Sequence, residues 1–488
     1  MMKAISKTEN TIKVLFLSAE AAPFIKIGGL GDYSGSLPKA VKTASENKDF
    51  KVEYKVIIPL YQQIKDCFKL RNVTSFSFKY GAKKETALVW QSGEECKNNF
   101  FIQRESKAIP AQVYTADANH DGDIFAFTSL AAIEFMQFLK WKPDIVHVND
   151  WHTAFAARYI QQLRKTKPQF SNTKILISLH NLPFMGAGAE PIINKLGLEI
   201  TDEPGLPFWG RNQPLPIGLS SADKIVVVSP GYAREIQTPK FGCGLERYLK
   251  LNDKKIVGIL NGIDVKSWDP GSDPVCFQYT HDDIQNKIKN KSTLLKLSKI
   301  RFDERIPLFV IVSRLEWQKG IDLILDAFDN FEGQKWQLLI LGTGGQEIER
   351  ACRNFEQRHS SNVRFYAKFD PDLSRRVYAG GDFFLMPSRY EPCGLSQMIA
   401  LRYGTIPVAA RVGGLKNSIK TGNDRGTGIL FKGEDPIALI DAIKKAIALF
   451  QNEPEFRAMR VRAMNEDFSW KKSAKKYLAL YKSLLQEI

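Results

Sequence analysis

The feature that most constrains the fold is an alternation, run twice along the chain, of short apolar segments with longer segments of helical spacing. In the first run, Ile12–Ser18, Lys55–Leu60, Asp144–Val148, Lys174–Leu179 and Ile225–Ser229 are rich in Val, Ile and Leu and flanked by turn residues. Near-continuous apolarity of this length is what a strand covered on both faces requires, so these read as parallel strands. Ser34–Ala44, Phe125–Leu139 and Trp151–Leu163 read as the helices between them, with Ser34 as N-cap and Pro38 in the first turn. The pattern restarts at Ile256–Leu260 and the Asn261-Gly262 turn. Leu308–Val312, Gln337–Leu341, Phe383–Met386 and Ile406–Ala409 are its strands, with helices at Lys287–Ser298, Lys319–Phe328, Glu347–Glu356, Gln397–Arg402 and Pro436–Phe450. Parallel strands need helical crossovers, so the predicted class is α/β: two doubly wound Rossmann-like domains facing a deep cleft.

With 488 residues the chain exceeds what one core supports. The domains are expected at 1–255 and 256–467. An amphipathic helix over 468–488, carrying Trp470, Ala474, Tyr477, Leu478, Tyr481, Leu484 and Leu485 at helical spacing, is expected to pack back on the first. Residues 71–115 alternate in the strand period and read as hairpins. Residues 182–216, dense in Pro and Gly, read as an irregular loop.

Composition excludes several classes. The net charge of +16 invites a nucleic-acid partner, but it is spread along the chain, clusters only at Lys287–Lys299 and Lys471–Lys476, and accompanies no nucleic-acid motif. A basic surface that attracts anionic metabolites is the reading adopted, with no nucleic-acid partner. No run approaches the roughly 18 apolar residues of a membrane span. Cys67, Cys96, Cys243, Cys276, Cys352 and Cys393 form no CxxC pair, and the histidines no HxxxH or HExxH pair. Reduced thiols, a cytoplasmic location, no metal and no cofactor are expected.

Four strand-end motifs carry chemistry. Lys26-Ile27-Gly28-Gly29-Leu30-Gly31-Asp32 follows a strand and opens a helix; its glycines admit close backbone approach, and Lys26 adds a mobile cation. It is neither a P-loop nor GxGxxG, and a tight structural turn is the competing reading. Asn149-Asp150-Trp151-His152 and His180-Asn181 end two consecutive strands, which aims polar side chains at one rim; alone, Asp150 reads as a helix N-cap. Ser313-Arg314-Leu315-Glu316-Trp317-Gln318-Lys319-Gly320 offers an Arg fork and a Lys point charge to a diphosphate. Ser388-Arg389-Tyr390-Glu391-Pro392-Cys393-Gly394-Leu395-Ser396-Gln397 sets a carboxylate before a small-residue turn and a helix start, a place for a polyol beside phosphates.

Together KIGGLGD, VNDWH, HN, NGID, SRLEWQKG, LGTGG, PSRYEPCGLSQ and YGTIPVAARVGGL follow the order and spacing of the glycogen/starch synthase family. The chain resembles these retaining glucosyltransferases of the GT-B fold from about residue 12 onward. The resemblance implies transfer of glucose from ADP-glucose, or else UDP-glucose, to the non-reducing end of an α-1,4-glucan. It implies that Lys26 and the amides of Gly28 and Gly29 meet donor phosphates and sugar, with Asp32 in the same loop. Arg314 and Lys319 would hold the diphosphate. Glu391 would bind glucose hydroxyls beside Cys393, Gly394, Leu395 and Ser396. Asp150, His180, Asn181 and Asn261 would line the sugar pocket, and Phe369 would stand where the family has a tyrosine stacking on the base. The implied mechanism is front-face displacement, in which the outgoing phosphate takes the acceptor's proton and the His180 carbonyl stabilises the cationic centre.

The chain departs from the family pattern at Leu182–Gly186, where an Ala-Tyr-Gln-Gly-like run is usual, at the shortened 116–124, and at Pro216-Ile217-Gly218, which lacks a lysine. All three fall on the acceptor side. The alternatives are therefore a nucleotide-sugar transferase with another acceptor and a glucan-binding regulatory protein without turnover. An NAD-dependent dehydrogenase lacks its GxGxxG signature.

Overall fold

The computed structural model describes residues 10–46, 50–93, 97–331, 333, 335–422 and 424–486. Among the described residues are nine strands in one sheet and six in another. The first sheet comprises β1 (Asn10–Leu17), β2 (Phe50–Pro59), β3 (Leu70–Tyr80), β4 (Lys83–Ser92), β5 (Asn99–Arg104), β6 (Ile145–Asn149), β7 (Lys174–Leu179), β8 (Lys224–Val227) and β9 (Ile256–Gly258). Its order is β3-β4-β5-β2-β1-β6-β7-β8-β9. The six strands from β2 to β9 across the sheet run parallel, and β5 joins β2 in parallel, while β3–β4 and β4–β5 pair antiparallel. The hairpins expected over 71–115 thus extend one edge of the parallel sheet.

The second sheet comprises β10 (Leu308–Val312), β11 (Gln337–Leu341), β12 (Val363–Tyr366), β13 (Phe383–Met386), β14 (Ile406–Ala410) and β15 (Ile429–Phe431), in the order β12-β11-β10-β13-β14-β15 and parallel throughout. Burial explains the strand sequences: all five residues of β6, β11 and β14 are inside. Burying such Val, Ile and Leu side chains contributes about 1.5–3 kcal/mol each, which is why unbroken apolar runs become central strands.

The chain divides into two compact units. One holds the described residues up to Val228, Ala233–Gly262 and those from Trp470 on; the other holds Ser229–Tyr232 and Ile263–Ser469. A boundary at 255/256 would cut through the first unit, because Ile256–Gly258 is not the opening of the second domain but the edge strand beside β8. The helix Trp470–Gln486 packs on the helix Gly29–Ser45 within the first unit. Its Tyr477 hydroxyl accepts from Tyr33 (3.0 Å), and Tyr481 meets Tyr54 (3.0 Å) and His147 Nδ1 (2.8 Å). In the second unit, Ile263 N–H donates to the Phe468 carbonyl at 2.8 Å, so the unit's long segment begins and ends side by side.

Several local expectations change. Ser34 lies inside the helix Gly29–Ser45, bonded to Ser18 Oγ at 2.8 Å, and Pro38 sits mid-helix; the N-cap is Gly28. The stretch 182–216 is only partly irregular, since Glu190–Leu196 is a helix and Pro214 opens the buried helix Pro214–Ser221. Residues 118–124 open the helix Ala118–Phe138, whose N-cap Asp117 accepts from the amides of Asn119 and His120. The basic helix, Asn286–Leu297, buries two of its lysines: Lys287 Nζ donates to the carbonyls of Tyr378, Ala379 and Tyr403 and to Thr405 Oγ1, and Lys291 pairs with Asp382 at 2.7 Å. Cys67, Cys243, Cys276, Cys352 and Cys393 are not joined in disulfides, and Cys96 lies outside the described residues. No helix among the described residues is long and apolar enough to cross a membrane.

Candidate active site

Doubly wound sheets bind ligands where two adjacent strands lead their connections in opposite directions. In the first unit that place is β1/β6, because β1 leads to β2 on one side and β6 to β7 on the other. In the second it is β10/β13. The sequence motifs fall at the carboxyl ends of these four strands and their neighbours.

In the first unit the loop after β1 closes around Glu20, which is 1% exposed. One carboxylate oxygen, Oε2, accepts the amides of Ile27 and, at 3.2 Å, Gly28; Oε1 accepts the Tyr114 hydroxyl at 3.1 Å. Burial holds this carboxyl above its ordinary pKa, against the pull of the two amides. The Gly28 amide, expected to face donor phosphates, is therefore turned onto Glu20. Lys26 pairs with Asp32 at 2.8 Å across the loop mouth.

At the end of β6, Asp150 does not cap its helix. The N-cap is Asn149, and Asp150 adopts φ +51°, a left-handed conformation costly for a residue with a Cβ. What holds it is β7: Asp150 Oδ1 accepts the His180 amide at 2.7 Å, and the Asn181 amide also donates to this carboxylate. Burial pushes the Asp150 carboxyl up to about 7, with the two amides opposing. Asn149 Nδ2 donates to the Leu17 carbonyl at 2.8 Å, so its Oδ1 faces His180 Nε2 at 3.1 Å. That contact fixes the proton of the neutral ring on Nε2. Burial drives His180 down to about 3, and the Tyr33 ring stands edge-on against it at 4.4 Å. Asn181 Oδ1, Asn261 Oδ1 and His152 Nδ1 are buried without a hydrogen-bond partner. Asn181 and Asn261 follow the carboxyl ends of β7 and β9, and His152 lies in the first turn of the helix after β6, its ring packed against Tyr114, Phe125 and Trp151.

In the second unit, Lys319 Nζ lies 2.7 Å from Glu391 Oε2, and Ser388 Oγ donates to the same oxygen at 3.1 Å. Both ionic side chains are largely buried. The loops that carry them are stitched together: Arg389 N–H donates to the Gln318 carbonyl at 2.9 Å, and Gln318 Nε2 to the Tyr390 carbonyl at 3.1 Å. Gly320 makes this approach possible. Its φ is +66°, and a Cβ there would lie 2.3 Å from the Pro387 carbonyl oxygen. Gly320→Ala is expected to destabilise the second unit by at least the roughly 1–2 kcal/mol of a left-handed alanine. It is also expected to separate Lys319 from Glu391. A thermal melt measures the loss of stability, and an unchanged midpoint contradicts it.

Gln397, fully buried, donates through Nε2 to the carbonyls of Cys393 (3.1 Å) and Gly394 (2.9 Å) and to Ser418 Oγ (2.9 Å), fixing the turn after Glu391. Leu395 and Ser396 begin the helix Ser396–Arg402, and Ser396 also bonds the Tyr378 hydroxyl.

The structure thus brings together Lys319 and Glu391, Asp150 with His180 and Asn181, and Lys26 with Asp32. Arg314 pairs with Glu316 at 2.7 Å in an exposed position. Phe369 is 86% exposed, beside the Lys368–Asp370 pair. Glu20 and Gln397 are the residues at these loops that sequence reasoning did not single out. The signal for Glu20 was an acid inside the otherwise apolar run Ile12–Phe24; for Gln397 there was none beyond proximity to Glu391.

Residues 13–251 match the family model for the starch synthase catalytic domain, and residues 295–461 that for glycosyl transferases group 1. The glycogen synthase of Thermodesulfovibrio yellowstonii is 35% identical over 98% of this chain and 98% of its own length. That of Lactococcus lactis subsp. lactis is 36% identical over 97% of this chain and 100% of its own. Among solved structures, the catalytic domain of starch synthase IV from Arabidopsis thaliana, bound to ADP and acarbose, superposes with a TM-score of 0.85 at 30% identity. That match covers 98% of this chain and 100% of the Arabidopsis one.

Proposed function

Because the chain belongs to the glycogen/starch synthase family of glucosyltransferases, with its GT-B-like pair of parallel-sheet domains, we propose that it transfers glucose from ADP-glucose, ahead of UDP-glucose, to the non-reducing end of an α-1,4-glucan with retention. The observation that carries this reading is the Lys319–Glu391 pair at the β10/β13 switch. It couples a cation suited to a leaving diphosphate with a carboxylate suited to sugar hydroxyls. The Arabidopsis relative bound ADP, which supports the adenine nucleotide.

Cleaving the anomeric C–O bond builds negative charge on the departing diphosphate and positive charge on the ring. Lys319 and Arg314 oppose the first, Arg314 by leaving its exposed partner Glu316; Lys26 does so by leaving Asp32. Glu391 holds glucose hydroxyls, with Cys393, Gly394, Leu395 and Ser396 forming the turn beside it. Asn181, Asn261 and Asp150 line the sugar pocket, and the His180 carbonyl faces the cationic centre. Phe369 stacks on the base. Two features favour front-face displacement over a covalent intermediate. Asp150 is buried with its carboxylate held by the His180 and Asn181 amides, which fixes it as a wall of the pocket rather than as an attacking group. The His180 ring is neutral at physiological pH, so it has no proton to give as an imidazolium acid. The acceptor's proton then leaves with the phosphate. With its five described cysteines not joined in disulfides, the protein is assigned to the cytoplasm.

The test is incubation with labelled ADP-glucose or UDP-glucose and a glycogen primer. The expected result is polymer growth, faster with ADP-glucose, into product that an α-1,4-specific amylase digests. Nucleotide binding without polymer growth from either donor overturns the reading.

A further inference from the structure

The loop Lys26–Asp32 is assigned above to the donor, yet its shape is set by a residue outside it. Glu20 Oε2 accepts two consecutive amides, Ile27 and Gly28, and Oε1 the Tyr114 hydroxyl. These partners are two amides and a phenol, with no cation among them. Taking a carboxylate out of water without a cation is unfavourable, and a neutral side chain would avoid that cost. What the side chain at position 20 supplies is one oxygen, at the reach of a Glu or Gln, able to take both amides at once. The surroundings are built to its shape. Ser18 Oγ donates to the Glu20 carbonyl at 2.9 Å, and the Tyr61 hydroxyl to the Ala19 carbonyl at 2.8 Å. A Cβ at Gly31 would stand 3.0 Å from Glu20 Oε2 and 3.1 Å from Lys26 Cα, so the loop closes on the carboxylate.

We infer that Glu20 is the positioning residue of the donor loop. By turning the Ile27 and Gly28 amides inward, it leaves the first-turn amides from Gly29 onward, which have no intrahelical acceptor, as the loop's phosphate donors. Through Tyr114 it also ties that loop to the segment leading into the helix Ala118–Phe138. Glu20 touches no reacting atom. It acts through the backbone of Lys26–Asp32. This rests on the donor assignment above.

The test compares Glu20→Ala, Glu20→Asp, Glu20→Gln and Tyr114→Phe in the full chain. Amide hydrogen exchange over residues 26–31 reads the clamp, and kcat with separate donor and glucan KM values reads its consequence. Glu20→Ala is expected to speed exchange at Ile27 and Gly28 and to lower kcat by about 10²-fold, the scale of a displaced binding group, with glucan KM unchanged. Glu20→Gln keeps an acceptor oxygen for the amides and a donor for Tyr114, and is expected to restore slow exchange and most of kcat. Should Glu20→Ala not fold, Glu20→Asp serves, because it keeps the charge but cannot reach both amides. Tyr114→Phe is expected to leave Ile27 and Gly28 protected. Glu20→Gln as impaired as Glu20→Ala, or an alanine or aspartate variant with unchanged exchange and kcat, overturns the proposal. A wild-type protein inert toward glucan sinks the acceptor reading and leaves the exchange result to decide this one.

Discussion

Lys319→Ala is expected to lower kcat by about 10²–10³-fold, the loss typical of removing one preorganised charge from a site that stabilises a developing anion. The structure adds a second consequence. Lys319 and Glu391 are largely buried and 2.7 Å apart, so removing the lysine leaves Glu391 with the Ser388 hydroxyl as its remaining side-chain donor. Breaking one side of a buried pair costs about 3–5 kcal/mol, much of it the unpaired charge. The double variant Lys319→Ala/Glu391→Gln is therefore expected to be more stable than Lys319→Ala while remaining as inactive. Lys319→Arg should not restore activity, since a planar fork does not replace a compact ammonium inside the stitched loops. Melting curves and single-turnover rates for these three variants and for Glu391→Gln alone make the check. Independent, additive effects of the two positions on stability would show that the contact carries no energy.

The second large effect is acid lability. His147, His152 and His180 all lie in the first unit, and burial drives each to about 3. The unfolded chain takes up these protons near pH 6.5. The folded state binds fewer, so the stabilising contribution is complete above pH 6.5 and is lost as pH falls toward 3. Each histidine removes about 1.4 kcal/mol per pH unit across that window. Asp150 and Glu20 act with the opposite sign: their raised pKa values let the folded state keep protons the unfolded chain releases, so their contribution declines as pH rises, for Asp150 from about 4 to about 7. Three histidines outweigh two carboxyls. The thermal midpoint of the first unit is expected to fall steeply between pH 6.5 and 4.5, and Asp150→Asn to steepen the fall. A midpoint flat over that range contradicts the assignment.

Burial decided what could be read from sequence. Lys174–Leu179, Leu308–Val312, Gln337–Leu341 and Phe383–Met386 fall at the residues expected because both faces of these strands are covered, leaving unbroken apolar runs. Val363–Tyr366 alternates buried with half-buried residues and carries an arginine, so it gave no such run, and the helices Pro371–Gly380 and Glu453–Met464 are too polar to announce a face. Glu190–Leu196 hides among prolines and glycines. Lys287 shows the converse limit: its charge is visible, but the three carbonyls that receive it come from residues 91 to 116 positions away. The site follows the same division. Strand-end motifs marked Asp150, His180, Lys319 and Glu391, because loops after parallel strands are local in sequence. The contacts that define their chemistry, Asp150 on the His180 amide and Lys319 on Glu391, span 30 and 72 positions.

The helix Trp470–Gln486 has a consequence for biosynthesis. The first unit starts first on the ribosome, yet Tyr54 finds its hydroxyl partner, and Tyr33 and His147 add a second to Ser178, only when Tyr477 and Tyr481 have been made. The second unit, whose long segment begins and ends side by side at Ile263 and Phe468–Ser469, has all its residues translated before then. The unit translated last in part is thus the one begun first. A nascent chain released short of residue 470 carries a complete second sheet and an unsealed first core.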